Sequence, residues 1–515
     1  MRLVRHALIV FHVALSTVAC GATLVRGYVY EDLNGNGRRD DGEPGVPGVG
    51  VSNGRAVVST DAQGAYAVEI AGDAVIFVIK PRDWSPPRDE QQRWRFYYIH
   101  RPEGSPKYKF PGVDPTGPLP ASVDFALRRS PEPNRFKVLL LGDTQPRDAR
   151  ELTFLARDIV SDLVGTEAAL GVALGDNTHD QHHLAPDLTA LLATVGCVWH
   201  YVPGNHDQNV DAPSDEQANE SFLRFYGPPY YAFNYGPVHF VVLENVHWHP
   251  AAGDKKAHYT SGLDAAQLEF LRNNLATVPK DRLVVLLMHI PLRELAQKAE
   301  VLKLLGDFPH TLSIAGHTHT IEHLFFGEQD GWPRPEPHHH LIAGATCGSW
   351  WSGAPDELGV PHTTMADGAP NGWFVATFDG PRYSLEFRSA RRPADYQMNV
   401  YVPDVVPSER LADAEVVVNV FAGSSRSTVT LTLNDGPPMA LERFTGQDPA
   451  FLALKELEKG DPPPPGRKLP RPVATPHLWR GKLPAELKPG THLLTVTTTD
   501  MFGQTYTARQ CLRVE

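Results

Sequence analysis

The sequence predicts a multidomain protein in which a layered α/β core is flanked by two β-sandwich domains. Three observations predict it. The chain has 515 residues, which is more than one hydrophobic core usually supports. It contains 46 prolines and 43 glycines, which favour turn-rich β structure. The hydrophobic pattern also changes twice along the chain, so we expect three structural regions.

The first region, residues 23–130, consists of short β-like runs broken by Gly, Pro, Asn and Asp. The runs are residues 24–30, 56–59, 65–70 and 75–80. Strands at this spacing predict a small β-sandwich. The Ser-Pro-Glu-Pro stretch at residues 130–133 reads as a linker to the next region.

The second region, residues 135–388, alternates continuous apolar runs with amphipathic stretches. The apolar runs are residues 136–141, 168–174, 198–202, 238–243, 283–288 and 311–315. Helical patterns cover residues 149–164, 264–275 and 292–305. Strands buried on both faces and alternating with helices indicate an α/β layered domain. Residues 323–373 are rich in Pro, Gly, His and Trp, and predict long loops over a site.

The third region, residues 389–515, returns to alternating patterns at residues 416–420, 428–433 and 492–498. These predict a second β-sandwich. Four consecutive prolines in residues 460–465 predict an exposed insertion between its strands.

The N-terminus reads as an export signal. Arg2 and Arg5 precede an apolar stretch that is too short to span a membrane, so residues 1–22 predict a signal peptide cleaved after Ala22. A lipid anchor at Cys20 is the alternative. Either reading predicts an exported protein that is periplasmic, at the cell surface or secreted. We expect no transmembrane span, and the net charge of −12 predicts no stable nucleic-acid binding.

Polar side chains follow five of the apolar runs in the second region, at the point where each run ends. These candidate metal ligands are Asp143, Gln145, Asp176, Asn205, His289, His317 and His319. Because sites in α/β sheets form at the carboxyl ends of strands, we expect these residues to converge. The set mixes carboxylates, imidazoles and amide oxygens without a thiolate, which argues against a closed structural zinc site.

The order of the motifs adds specificity. Five motifs follow one another between residues 138 and 378. In order, they are Asp-x-Gln, Gly-Asp-Asn, Gly-Asn-His-Asp, a lone His after a strand and Gly-His-x-His. This order resembles the calcineurin-like metallophosphoesterase superfamily, in particular bacterial exported members with N- and C-terminal β-sandwich domains. The resemblance implies an α/β/β/α-type sandwich for the core.

The resemblance also implies two divalent metals, drawn from Mn, Fe, Mg or Zn. Asp176 would bridge them. The remaining ligands divide into Asp143, Gln145 and His319 for the first metal, and Asn205, His289 and His317 for the second. Gln145 departs from the usual His of this motif, and its amide oxygen favours Mn, Fe or Mg over Zn at the first position.

The implied reaction is hydrolysis of a phosphomonoester or phosphodiester by a metal-bridging hydroxide that attacks phosphorus in line. The same resemblance gives His206 a role in donating to the phosphate, and Asp207 is expected to orient His206 and raise its pKa. Nucleotides, phospholipid headgroups, phosphosugars and phosphoproteins remain open as substrates. The alternative function is a catalytically inactive surface-binding or adhesion protein on the same scaffold.

Several residues near the motifs are candidates for substrate contact, but no motif assigns them. Trp350, Trp351 and Asn371 follow the last motif and predict an aromatic wall or lid, with packing as the alternative. The three histidines 338–340 predict a solvated segment, or one leading into a strand, rather than a metal-binding tract. His179 and its neighbours predict a loop beside the second motif.

A second metal site is predicted in the first region. Residues 32–43 match a calcium loop, with oxygen ligands at positions one, three, five, nine and twelve and glycine at position six. The expected calcium ligands are Asp32, Asn34, Asn36, Asp40 and Glu43. The alternative is an Asn/Gly/Asp-rich turn that binds no metal.

Overall fold

The computed structural model describes residues 22–515. Residues 1–21 of the predicted signal peptide, including Cys20, therefore lie outside the described residues. Within residues 22–515, none of the helices has the length and apolar character needed to cross a membrane.

The N-terminal region forms two four-stranded sheets. Its strands are β1 Thr23–Glu31, β2 Gly50–Ser52, β3 Val57–Ser59, β4 Ala65–Ile70, β5 Ala74–Ile79, β6 Trp84–Ser85, β7 Tyr97–His100 and β8 Phe125–Arg129. The sheet orders are β4-β1-β8-β6 and β3-β2-β5-β7. Burial alternates along β4, and Tyr66, Val68 and Ile70 are its buried residues. They belong to a hydrophobic core of the N-terminal region that is separate from the core of the central region. This region is therefore a β-sandwich, as predicted.

The central region contains two larger sheets, a hairpin and most of the helices. Its strands are β9 Arg135–Leu141, β10 Leu170–Ala173, β11 Val198–Tyr201, β12 Tyr231–Tyr235, β13 Val238–Val242, β14 Val246–His249, β15 His258–Ser261, β16 Leu283–Leu287, β17 His310–Ala315, β18 Ile321–Phe326, β19 His338–Ala343, β20 Gly372–Asp379 and β21 Arg382–Ser389. The helices are α1 Ala149–Leu155, which continues through a π-helical turn Ala156–Val160 into α2 Ser161–Leu163, then α3 Ala185–Ala193, α4 Glu220–Phe225, α5 Ala265–Ala276 and α6 Lys298–Leu305.

The two large central sheets have the orders β11-β10-β9-β20-β21 and β12-β13-β16-β17-β19-β18. Strands β9, β10 and β11 are parallel, and so are β13, β16, β17 and β19. β16 is buried along its whole length, as a strand covered on both faces requires. Both sheets contribute to one hydrophobic cluster, so they pack face to face. This layered arrangement agrees with the predicted fold class.

Helix starts in the core are set by local capping. Asp148 accepts a hydrogen bond from the backbone N–H of Glu151 at the start of α1, and Asp264 accepts one from Gln267 at the start of α5. Such caps satisfy backbone donors that have no partner within the helix.

The prediction of long loops across residues 323–373 was wrong in part. β18 and β19 lie in or reach into this segment, and His338, His339 and His340 are buried in β19. Ser313 lies between His338 Nε2 and His340 Nδ1, at 2.8 and 2.7 Å from its hydroxyl. The sequence did not indicate a buried strand here because histidine is a polar residue. In the structure, the polar atoms of these histidines are hydrogen-bonded inside the sheet. They are therefore not solvated, and they lie within β19 itself.

The C-terminal region forms a second sandwich of four- and five-stranded sheets. Its strands are β22 Met398–Tyr401, β23 Val405–Val406, β24 Glu415–Val420, β25 Thr428–Leu433, β26 Met439–Ala440, β27 Glu442–Gly446, β28 Thr475–Lys482, β29 Gly490–Thr499 and β30 Thr505–Val514. The sheet orders are β22-β24-β28-β27 and β23-β30-β29-β25-β26. Helix α7, Pro449–Leu457, precedes the exposed proline run, and the chain then returns to β28.

Candidate metal centre

The seven predicted ligands lie at the carboxyl ends of five parallel strands. Asp143, Asp176 and Asn205 follow β9, β10 and β11 of the five-stranded sheet. His289 and His317 follow β16 and β17 of the facing sheet, with Gln145 and His319 in the same loops as Asp143 and His317. The facing sheets meet directly here, because His289 Nδ1 lies 2.8 Å from the carbonyl oxygen of Leu174.

One group of side chains surrounds His289. Its Nε2 atom lies 3.3 Å from Asp176 Oδ1, 3.1 Å from Asn205 Oδ1 and 3.2 Å from His317 Nδ1. The ligand atoms of Asp176, His289 and His317 all lie within 4.8 Å of one another. This is the set that the resemblance assigns to the second metal.

The other group is centred on Asp143. His319 Nε2 lies 3.6 Å from Asp143 Oδ1, and the backbone N–H of His317 donates to Asp143 Oδ2 at 2.9 Å. Gln145 Nε2 donates to Asp176 Oδ2 at 2.6 Å, so its amide nitrogen faces the group. Metal binding through Gln145 requires the opposite amide orientation, with the oxygen turned inward.

Five of the seven candidate ligands have backbone conformations that residues with a Cβ rarely adopt. Their φ angles are 42° at Asp143, 37° at Gln145, 50° at Asp176, 74° at His317 and 53° at His319. Each such residue costs on the order of 1–3 kcal/mol, and this kind of strain concentrates at functional sites. Glycine is needed beside them, since a Cβ on Gly204 would lie 2.1 Å from the backbone nitrogen of Asp176.

Burial and mutual charge shift the pKa values of the side chains in the cluster. Burial, followed by the charge of Asp176, raises the pKa of Asp143 to about 8, with His289 opposing the rise. Burial alone would also raise the pKa of Asp176, but the charges of His289 and His206 hold it below its ordinary value. Burial lowers the pKa of His317 to about 3 and that of His319 to about 4. Burial alone would also lower the pKa of His289, but Asp176 and Asp143 raise it to about 9. Imidazoles, carboxylates and amide oxygens brought together in this way are a donor set that divalent metals use, so the set fits the implied ions.

His206 lies at the edge of this cluster. Its backbone N–H donates to Asp176 Oδ1 at 2.8 Å, and its ring stacks on His179 with centroids 4.3 Å apart. Burial alone would lower the pKa of His206, but a hydrogen bond to Asp180 and the charge of Asp176 raise it.

The carboxylate that orients His206 is Asp180 and not the predicted Asp207. His206 Nδ1 lies 2.8 Å from Asp180 Oδ1. Asp207 is buried and accepts hydrogen bonds from the backbone N–H groups of Gly204 and Asn177 and from the Asn177 side chain. Asp207 therefore fixes the loop around Asn205, because all of its contacts are to neighbouring backbone and amide groups. It adds only a minor charge contribution to His206.

Trp350, Trp351 and Asn371 occupy different environments. Trp350 is partly exposed and stacks on His319 with ring centroids 4.1 Å apart. Trp351 is 1% exposed and donates to Thr144 O, and Asn371 is 5% exposed and donates to Asp158 and Thr346. The structure therefore gives Trp351 and Asn371 packing roles, and only Trp350 borders the candidate site.

Sequence reasoning missed three contributors. Asp180 stands four residues after Asp176 in the same loop, and this spacing could have indicated it. Tyr259 on the β14–β15 hairpin meets His317 edge-on at 6.0 Å between centroids, and no motif marks it. The carbonyl oxygen of Gly348 accepts from His319 Nδ1, which only the tertiary structure shows.

The predicted calcium loop is compact. Asp32 accepts from the N–H groups of Gly35 and Gly37, and Asn34 and Asn36 both donate to Asp40 Oδ2 at 2.7 Å. Glu43 closes the loop by accepting from the N–H groups of Leu33 and Asp40. The five predicted ligands thus lie in one small loop, and calcium binding there stays a prediction.

The fold and the site together define a layered α/β protein with a two-part cluster of candidate metal ligands at its strand ends. Three family models match successive parts of the chain: the N-terminal domain of calcineurin-like phosphoesterase at residues 33–113, calcineurin-like phosphoesterase at residues 136–320 and the C-terminal domain of calcineurin-like phosphoesterase at residues 340–506. The chain belongs to the calcineurin-like phosphoesterase family, which confirms the predicted resemblance. Membership implies divalent metals and a phosphate-ester substrate.

The chain is also similar to a solved purple acid phosphatase from yellow lupin (Lupinus luteus) seeds. The sequences are 12% identical and the TM-score is 0.36, over 72% of this chain and 67% of that one. Comparison with curated proteins gave no match.

Proposed function

We propose that this protein is a metal-dependent hydrolase of phosphate esters that acts outside the cytoplasm. The observation that carries the proposal is the convergence of Asp143, Asp176, His289, His317 and His319 in one cluster. All but His317 are buried, and all but His289 have strained backbone. Strain of this kind is retained where function requires it.

The residues of the chain hold and orient the reacting groups. Asp176 lies between the two ligand groups, within reach of both His289 and Gln145, so it is suited to bridge two ions. Asn205 and His317 complete one side, and Asp143 and His319 complete the other. When bound, two divalent ions would clamp the phosphate and activate a water for attack on phosphorus.

His206 is suited to donate a proton or hydrogen bond to the phosphate or its leaving oxygen. The carboxylate of Asp180 holds Nδ1, which leaves Nε2 free to act on the substrate. The raised pKa of His206 favours the protonated form that such a donor needs.

A paired assay tests the proposal. The purified protein would be stripped of metal, reloaded separately with Mn, Fe, Mg or Zn, and given p-nitrophenyl phosphate or bis-p-nitrophenyl phosphate. We expect metal-dependent release of nitrophenol from at least one substrate, and the preferred substrate separates monoesterase from diesterase activity. Absence of hydrolysis with every metal and both esters would support the alternative of an inactive surface-binding protein.

The extracytoplasmic location rests on the sequence of residues 1–22. Expression of the full chain in a Gram-negative host, followed by fractionation and N-terminal sequencing, tests it. A mature chain that begins at Thr23 supports cleavage after Ala22, whereas a lipid-modified Cys20 supports the anchor. Retention of Met1 in the cytoplasm would contradict both.

A further inference from the structure

A segment of the C-terminal sandwich reaches the candidate metal centre. Arg467 follows the exposed proline run, and its Nη2 atom donates to the carbonyl oxygens of Trp350 at 2.6 Å and Trp351 at 3.2 Å. The same guanidinium pairs with Glu151 on α1. The backbone N–H of Gly353 donates to the carbonyl oxygen of Arg467 at 2.7 Å. The segment is thus attached through both its backbone and its side chain.

The close approach of the two backbones depends on glycine. Gly466 has a φ of 105°, and a Cβ at this position would lie 2.3 Å from the carbonyl oxygen of Gly353. The close contact between the two segments therefore depends on glycine at position 466, next to Arg467.

The carbonyl groups that Arg467 holds belong to a strained pair. Trp350 and Trp351 have φ angles of 54° and 53°, so two consecutive bulky residues are left-handed. Such a conformation persists only when surrounding contacts impose it. Trp350 in turn stacks on His319, and Gly348 in the same loop orients the His319 ring.

Glu151 connects this loop to the first metal motif. Its side chain is 6% exposed, and its Oε2 atom accepts from the backbone N–H of Arg147 at 2.8 Å. Arg147 stands two residues after Gln145 in the sequence. The Glu151 carboxylate thus joins Arg467 to the loop that carries Gln145, while the Arg467 guanidinium itself contacts Trp350.

The C-terminal sandwich also holds the far end of the Trp350 loop. His477 on β28 and Asp367 are fully buried, and their side chains lie 3.2 Å apart. Asn419 on β24 donates to the carbonyl oxygen of Asp367 at 2.9 Å. The loop between β19 and β20 is therefore attached to the C-terminal sandwich at two separate places.

We propose that Arg467 is a positioning residue through which the C-terminal sandwich holds Trp350 against His319 and sets the geometry of the Asp143–Gln145–His319 group. The inference rests on the proposed function, because it assigns those three residues to metal binding. Arg467 is not among the candidate ligands and acts through its contacts with Glu151 and Trp350.

Arg467→Ala tests this proposal, with Arg480→Ala as the matched control. Arg480 lies in the same sandwich, its side chain is 43% exposed against 44% for Arg467, and it also pairs with carboxylates. We expect Arg467→Ala to speed hydrogen–deuterium exchange in residues 346–353 and to weaken Mn²⁺ binding in calorimetry by about 10-fold. The turnover number kcat should fall with metal affinity, Arg467→Lys should recover part of the loss, and Arg480→Ala should match wild type.

The outcomes separate this inference from the proposed function. Unchanged exchange and Mn²⁺ affinity in Arg467→Ala would overturn the positioning role, even if the wild type is an active esterase. A wild type that binds Mn²⁺ but cleaves no ester would overturn the proposed function, and exchange and calorimetry would still decide the role of Arg467. If Arg467→Ala does not fold, Arg467→Gln, which keeps an amide NH2 donor but loses the charge, gives the same readouts.

Discussion

The charged junction between the N-terminal sandwich and the core lies at the start of β9, away from the candidate metal ligands, whereas the C-terminal sandwich is joined beside them. A second N-terminal contact, of Phe110 with His182, lies nearer the site, because His182 Nε2 is 3.1 Å from the carbonyl oxygen of His206. At the N-terminal junction, Lys80 is 1% exposed, pairs with Glu132 of the linker and donates to the carbonyl oxygen of Asn234 on β12 at 2.8 Å. At the C-terminal junction, His477 meets Asp367 in the loop that leads from Trp350 to β20. The Lys80–Glu132 and His477–Asp367 pairs are both buried, but only His477–Asp367 involves a loop that carries a residue of the candidate site. We therefore expect the two pairs to have different effects on activity.

A cleft lies at the junction between the N-terminal sandwich and the core. It has a volume of about 890 Å³, and its lining includes Arg55, Tyr230 and Glu244. Among the described residues, none of the predicted metal ligands lines it. We therefore expect changes at the Lys80–Glu132 junction to alter stability, and changes at the C-terminal junction to alter activity as well.

The largest expected loss of activity comes from substitutions in the central region, at the candidate metal centre itself. Asp176→Ala should lower kcat to background because both ligand groups lose their shared carboxylate, and His206→Ala should lower it by about 10²–10⁴-fold. Asp180→Asn should give a smaller loss, since His206 keeps its place but loses its charged partner. Steady-state kinetics with circular dichroism checks these losses, and near-normal activity in Asp176→Ala or His206→Ala would refute the site.

Lys80→Met should destabilise the protein without lowering kcat. It leaves Glu132 buried without its partner, which costs about 3–5 kcal/mol. Thermal unfolding followed by calorimetry measures the loss, with Arg55→Ala as control, because the Arg55–Glu269 pair is exposed and worth at most about 1 kcal/mol. A large fall in kcat for correctly folded Lys80→Met would end the contrast between the two junctions.

His477→Gln should cost less stability but should lower activity. Loss of a buried hydrogen bond to Asp367 costs about 1–3 kcal/mol and loosens the loop that carries Trp350. Unfolding curves and kcat, measured on the same preparation, test both parts. If kcat stays at the wild-type value while stability falls, the C-terminal junction is structural only.

Calcium should give the smallest effect, confined to the N-terminal sandwich. We expect added Ca²⁺ to raise the unfolding midpoint of the wild type by a few degrees, as a ligand specific to the folded state does. Asp32→Asn should lose this shift, and kcat should not change in either protein. An unfolding midpoint that does not respond to Ca²⁺ or to a chelator would favour the metal-free turn.

The sequence predicted the core well because its signals are local. The apolar runs at residues 136–141 and 283–288 became β9 and β16 within one residue at each end, since continuous burial leaves a clear pattern. It failed at β19, where three histidines stand in a buried strand. Their polarity hid the strand, and their partners Ser313 and Tyr383 come from other elements.

The sequence by itself determined the family, the layered core with its flanking domains and the strand ends that carry the candidate ligands. It did so because motifs and hydrophobic periodicity involve residues that are close together in the sequence. The tertiary structure alone decided which carboxylate serves His206, which tryptophan borders the site and that Arg467 reaches it. These depend on side chains far apart in sequence, such as Arg467 and Glu151, which only packing brings into contact. Local pattern carries no information about such contacts, whereas burial and hydrogen-bond geometry do.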